Sequence, residues 1–269
     1  MPLIGSHVMV GRGLVKGALA EAVTMGAEII QLFGGNPRSW APRGANPAAD
    51  EAFRTACAEL QLPVVVHAPH LINLCSPSDQ VLSQSLATLE LTMDRAAAIG
   101  ARTVVVHAGS LVDGSRRTPV LKGLHDLLSP IADRDDVQLL IEPTAGGGES
   151  AASTVGTTID YMLALDNDRI GLCLDTCHLH AAGEDPVKAV DALTEALGPT
   201  RLALLHLNDS RDPAGSRRDR HESIGKGTLG LDTFTSLLNN PHLDHIPMLV
   251  ETPTNAEDVA LLKTLRGKD

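Results

Sequence analysis

Aromatic side chains are nearly missing: 269 residues hold one tryptophan, one tyrosine and three phenylalanines. An aromatic on a loop, such as Trp40, is therefore conspicuous. Four cysteines (Cys57, Cys75, Cys173, Cys177) are too few and too scattered for a disulfide framework or a paired-cysteine zinc knuckle. They read as reduced and buried. No apolar run approaches the roughly 20 residues that a spanning helix needs, and the opening MPLIGSHVMVGRG lacks the layout of a signal peptide. The expectation is a cytoplasmic chain without membrane contact. Excess positive charge is also absent. A formal net charge of −11 argues against loose, charge-driven binding of nucleic acid. It leaves room for a site whose field is reversed locally, because a bound divalent ion is often the largest charge present.

What is there is a repeat of short, apolar runs at intervals of roughly 25 to 45 residues, too short for helices and covered on both faces. They are LIGSHV (3–8), IIQLF (29–33), PVVVHAP (63–69), TVVVHAG (103–109), QLLIEPT (138–144), GLCLDT (171–176), RLALLHLND (201–209) and PMLVETP (247–253). Between them lie stretches of helical spacing such as 83–101 and 185–198. The second opens on Asp185-Pro186, an N-cap with proline at the first helical position, and closes on Gly198. Strand and helix alternating eight times predict a single (β/α)8 TIM barrel over 1–269, with an open doubly wound sheet as the competing layout. The longest non-helical insertions (34–47, 70–79 and 208–230) follow strands 2, 3 and 7, on the face where barrel enzymes carry their chemistry.

Six consecutive strands end in a residue type that binds metal: His67, His107, Glu142, Asp175, His206 and Glu251. In a barrel these ends converge. His178 lies three residues beyond Asp175, within reach if the chain turns helical there. Asp219 and His221 sit in the loop after strand 7, two apart, which puts both side chains on one side of extended chain. Nine imidazoles and carboxylates exceed the four ligands of one structural zinc and imply a cluster suited to zinc, with manganese or iron also compatible. Two-metal centres serve phosphoester hydrolysis. A phosphodiester also accounts for the arginines of GSRRDRHESIG (215–225), where Arg217, Arg218 and Arg220 would grip phosphate.

A single histidine is more often a hydrogen-bonded structural residue than a ligand. That plainer reading is applied to His125, His180, His242 and His245, while His7 suits a role behind the ligands. Cys173 and Cys177, which flank Asp175, read as packing residues. A charge run such as SRRDR is ordinarily a solvated loop.

The stretches VHAPHLINL (66–74), IEPTAGGG (141–148), GLCLDTCH (171–178), HLNDSRD (206–212) and DRHESIGKG (219–227) resemble the endonuclease IV family of apurinic/apyrimidinic endonucleases. The likeness runs from IGSHV to LVETP. It implies three zinc ions at the barrel mouth. His67, His107 and Glu142 would hold one; Glu142, Asp175, His206 and Glu251 a second; His178, Asp219 and His221 the third. It implies cleavage of double-stranded DNA 5′ to an abasic site, with Glu142 central to catalysis, and trimming of blocked 3′ ends. Arg38, His70 and Leu71, with Trp40 nearby, would fill the gap left by the missing base, while the loop arginines, Arg217 and Arg220 among them, would grip the DNA backbone. His70 stands where the family usually has tyrosine and Pro143 where asparagine commonly follows the glutamate; neither is expected to touch a ligand. The chain reads as a monomer. The rival enzyme is a xylose-isomerase-like sugar isomerase or epimerase, which needs two metals and no Asp219/His221 pair. A non-catalytic, metal-stabilised DNA-binding module is disfavoured by the negative charge.

Overall fold

The computed structural model describes residues 1–40, 46–134 and 137–267. Residues 41–45 of the insertion expected after the second strand, and 268–269 of the expected domain, lie outside the described residues.

Eight parallel strands close into a barrel: β1 (Ile4–His7), β2 (Ile30–Phe33), β3 (Val64–His67), β4 (Thr103–His107), β5 (Gln138–Glu142), β6 (Ile170–Asp175), β7 (Leu202–His206) and, last in the chain, β10 (Met248–Val250), which pairs with both β7 and β1. Two further strands, β8 (Asp209–Ser210) and β9 (His221–Glu222), form a small antiparallel ladder inside the loop after β7. The sequence read that loop as irregular; a two-residue ladder is too short to leave an alternating pattern. No helix of the described residues is long and apolar enough to cross a membrane.

The strands read as apolar on both faces because they are. Their outward side chains pack under the helices in one large core. Ile29, Val65, Val105, Leu140, Cys173, Leu204 and Leu249 form a separate, smaller cluster that plugs the barrel. Two residues along each chain segment from this plug come Gln31, His67, His107, Glu142, Asp175, His206 and Glu251. The period of two puts them back inside, one layer higher. On β1 the plug position is Gly5, where a Cβ would collide with the Ile29 carbonyl oxygen; His7 stands above it. Every strand therefore gives one polar side chain to a single layer at the C-terminal mouth.

The helices start where their caps say. In α7 (Pro186–Leu197) the Asp185 carboxylate accepts from the Val187 and Lys188 amides. Helix α3 (Asp79–Ala98) begins four residues before the apolar periodicity, because Ser78 caps it through the Val81 amide. At the opposite end of the barrel from the mouth, the last helix, α9 (Asn255–Arg266), is tied to the first strand. Glu28 accepts from both terminal nitrogens of Arg266 (2.6 and 3.0 Å) and from the Ile4 amide, with Lys263 at 3.2 Å. The Arg266 hydrogen bonds hold the Glu28 carboxyl down to about 2.

Because the folded value lies below the unfolded one, this clasp stabilises fully above about pH 4.5 and fades as pH falls toward 2. Glu28→Gln is expected to cost about 1–2 kcal/mol at pH 7, after allowance for the group's partial exposure. The gap from the parent should close as pH falls through that window in urea titrations. An undiminished gap at pH 2 would show that the charge is not what holds the helix.

Candidate metal centre

Glu142 sits at the centre of the mouth and is 1% exposed. Its Oε2 faces His67 Nε2 at 3.1 Å and His107 Nε2 at 3.4 Å; its Oε1 faces His206 Nδ1 and His178 Nδ1, each at 3.3 Å. Asp175 Oδ2 lies 3.8 Å from His206 Nδ1 and 3.5 Å from His221 Nε2. Glu251, one residue past β10, brings Oε2 within 3.5 Å of His206 Nδ1. Asp219 spans the outer side, with Oδ2 3.2 Å from His178 Nε2 and Oδ1 3.0 Å from His221 Nε2. All nine side chains singled out in the sequence are thus joined in one connected set.

Local structure explains the spacing. Asp175 ends β6 and caps the short helix α6 (Thr176–Ala181), its Oδ1 accepting from the His178 amide at 3.1 Å. That cap places His178 one turn above the layer. The loop carrying Asp219 and His221 is organised by buried Asp209, which accepts from the amides of Gly225, Gly227 and Leu229 at 2.9 to 3.0 Å. A Cβ at Gly227 would collide with that carboxylate, so the glycine of GKG is required by close approach.

The donor set fits cations. The Nδ1 atoms of His67, His178 and His221 donate to the carbonyls of Ala68, Pro143 and Glu251 at 2.7, 3.0 and 3.1 Å. Each ring turns its Nε2 toward carboxylate oxygens. Between each such nitrogen and its carboxylate a positive group has to stand, either a second proton or a shared cation. The buried Nε2 of His221 has no hydrogen-bond partner despite lying 3.0 Å from Asp219. Ligand atoms of His67/His107/Glu142, of Glu142/Asp175/His178 and of His178/Asp219/His221 cluster within 4.8 Å.

Electrostatics show how strongly the set draws positive charge, held by protons where no cation stands. Burial works to raise the Glu142 carboxyl, yet the His206 and His107 rings hold it well below the usual carboxylate range. Burial opposes charging of His206 and His178 too, but the surrounding carboxylates carry both well above the ordinary imidazole value. Cys173 and Cys177 behave otherwise. Although each has an Sγ near candidate ligands, burial pushes both thiols up to about 12, so they remain protonated, as packing residues do.

The remaining sequence-derived residues scatter more widely. His70 is exposed but not apart from the ligands, for its ring centroid lies 5.4 Å from that of His67 and 5.3 Å from that of His107. The Pro143 carbonyl accepts from His178. The expectation that neither touches a ligand is therefore corrected. A carbonyl is common to every residue type, which is why proline serves in that position. Arg38 is exposed, Leu71 half-buried, and Trp40 is half-buried against the core, lining a cavity with Asp50, Thr88, Leu91 and Arg95 of the outer helices. Arg220 donates to Asp212 through Nε and Nη2, and Arg218 lies 3.6 Å from the same carboxylate; the arginine loop is in part neutralised. Arg217, its backbone in the left-handed region at φ 55°, makes no ion pair among the described residues. His125 and His180 take the plainer role, bonded to the Leu165 carbonyl and the Thr228 hydroxyl.

Two residues escaped the sequence reading. Gln31 contacts His206, Glu251 and His7, and Asn208 donates to Asp175 Oδ2 at 2.6 Å while its Oδ1 accepts from the Glu251 amide. The available signal was a lone amide in IIQLF, two residues past Ile29.

A family model described as a xylose isomerase-like TIM barrel matches residues 19–266. A probable endonuclease 4 of Streptomyces coelicolor is 43% identical over 278 aligned positions, spanning 98% of this chain and 95% of its own length. The chain belongs to the endonuclease IV family. The crystal structure of endonuclease IV from Thermus thermophilus superposes with a TM-score of 0.83 at 34% identity, over 98% of this chain and 97% of that one. The crystal structure of a D-tagatose 3-epimerase-like protein, at TM-score 0.76 and 16% identity over 98% of this chain and 95% of that one, shares the fold alone.

Within this endonuclease IV fold, Asp209→Asn is expected to cost about 3 kcal/mol, since its amide hydrogens oppose backbone donors that then lie buried and unpaired. Hydrogen exchange should rise at Gly225, Gly227 and Leu229 before it rises in the barrel. Unchanged protection there would remove Asp209 as the organiser of the loop.

Proposed function

We propose that this chain is an apurinic/apyrimidinic endonuclease, hydrolysing the DNA phosphodiester 5′ to an abasic site and trimming blocked 3′ ends, with three zinc ions at the mouth. Membership in the endonuclease IV family supports a DNA-cleaving hydrolase. The observation that carries the finer reading is the outer trio His178, Asp219 and His221, built onto a carboxylate-bridged inner set. A sugar isomerase with two metals has no use for that trio.

His67, His107 and Glu142 would hold one ion, Glu142, Asp175, His206 and Glu251 a second, and His178, Asp219 and His221 the third. When bound, such ions supply Lewis acidity, activating water and offsetting charge on the entering and leaving oxygens. Glu142 would contribute to two of these sites, because its two oxygens face different pairs of histidines. Asp175 reaches both the inner and the outer sets through one oxygen. Backbone carbonyls hold three of the imidazoles in a single tautomer, so the donor set is ordered before substrate arrives.

DNA is engaged by the surrounding loops. Arg217, free of carboxylate partners among the described residues, makes the phosphate contact, with Arg220 contributing the donor not committed to Asp212. Arg38, Trp40, His70 and Leu71, on the loops after β2 and β3, would occupy the void where a base is missing. An abasic site is easily unstacked, which turns that void into selectivity.

A duplex oligonucleotide with one abasic analogue tests the reading. Cleavage 5′ to the lesion should vanish with a chelator and return with zinc. Glu142→Gln should lose about a thousandfold in kcat. Arg217→Ala should weaken binding alike across sequences and reduce the salt slope by about one. Intact substrate after incubation with zinc-loaded protein would overturn the assignment; equal cutting of undamaged duplex would overturn the selectivity.

A further inference from the structure

His206 is held the opposite way round from three of its fellow histidines. His67, His178 and His221 each give Nδ1–H to a backbone carbonyl and offer Nε2. His206 turns Nδ1 toward Glu142, Asp175 and Glu251. Its Nε2 points back to a side chain, the Gln31 amide oxygen, at 2.9 Å.

That amide has only one workable orientation. Gln31 Nε2 lies 2.6 Å from Glu251 Oε1, a separation that demands a donor against a carboxylate, since two acceptors would repel there. Its second hydrogen meets His7 Nδ1 at 3.1 Å. Oε1 is therefore fixed as the acceptor facing His206. With Gln31 and His206 both fully buried, no water competes for the bond, and with a cation at Nδ1 the one remaining His206 proton stays on Nε2.

We infer that Gln31 is a positioning residue for the inner cation site, holding His206 as the Nε2–H tautomer that ligates through Nδ1 and turning Glu251 so that Oε2 faces the same point. The inference rests on the metal centre proposed above and adds to it a residue that touches neither cation nor DNA. One amide on β2 thereby aligns ligands from β7 and from the residue after β10. The outer trio, whose rings rest on backbone carbonyls, does not depend on it.

The test uses the zinc-loaded full chain. Long-range 1H–15N correlations of the imidazoles should show His206 protonated on Nε2 in the parent, with His67, His178 and His221 protonated on Nδ1. Gln31→Leu removes donor and acceptor at similar volume. It should weaken one zinc by about 10–100-fold in competition with a chromophoric chelator, leaving the others at parental affinity, and should scramble the His206 tautomer. Gln31→Glu keeps an acceptor for His206, so the tautomer should persist in that variant. A His206 proton on Nδ1 in the parent would overturn the inference even if both variants failed to fold. Parental affinity for every zinc in Gln31→Leu would overturn it as well while leaving the metal centre standing. A parent that takes up no zinc would remove the metal centre, and this inference with it.

Discussion

The barrel mouth is organised around one carboxylate. Glu142 is buried among four imidazoles, and a lone ionised carboxylate in such a place would be untenable: the effective penalty for burying an ion is several kcal/mol. It is tolerated because β3, β4, β7 and the helix after β6 deliver imidazoles around it. Shifting any strand by one residue would turn its polar side chain outward under the helices and leave a valine or leucine facing the charge. The register of the whole barrel is thus coupled to the pairing of one side chain. The plug of apolar residues beneath is the other half of this constraint, because it excludes the water that would otherwise satisfy Glu142.

Much of this was legible in the sequence, for a reason that can be stated. A parallel strand buried on both faces is a continuous apolar run, so a terminal His, Asp or Glu stands out. His67, His107, Glu142, Asp175 and His206 each close such a run, and the structure has each of them end its strand. The period of the fold was legible for the same reason, and α7 because Asp185-Pro186 and Gly198 are local signals. Gln31 was missed because an amide carries no charge and two apolar residues flank it on either side. The β8–β9 ladder was missed because two-residue strands have no period. The contact of His70 with the ligand rings depends on how a loop folds back over the mouth, which no spacing rule gives.

Pro143 teaches a related point about departures from a family pattern. Side-chain identity matters where a side chain does the holding, as at Gln31. Where a backbone carbonyl does it, as at Pro143 for His178 or Ala68 for His67, the residue type is nearly free. A sequence comparison weighs both kinds of position alike, whereas the hydrogen-bond pattern separates them.

The cluster of arginines in an acidic chain follows from the same balance of charge. Asp212, 6% exposed, takes two donors from Arg220 and draws Arg218 close, so part of that positive charge is committed to fixing the loop that presents Asp219 and His221. Arg217 is left outward. Among the described residues, Arg218 and Arg220 are drawn to Asp212 and Arg211 to Glu222. Under the proposed function this loop would therefore release few counterions on meeting a duplex, and the dependence of log affinity on log salt would be shallow. Binding strength has to come instead from what fits the mouth. A site that accommodates a collapsed, baseless backbone gains there what intact, stacked DNA cannot supply without the cost of being unstacked. Under the proposed function, weak attraction to ordinary duplex would be a condition of damage selectivity, in keeping with a negative charge that disfavours loose binding to nucleic acid.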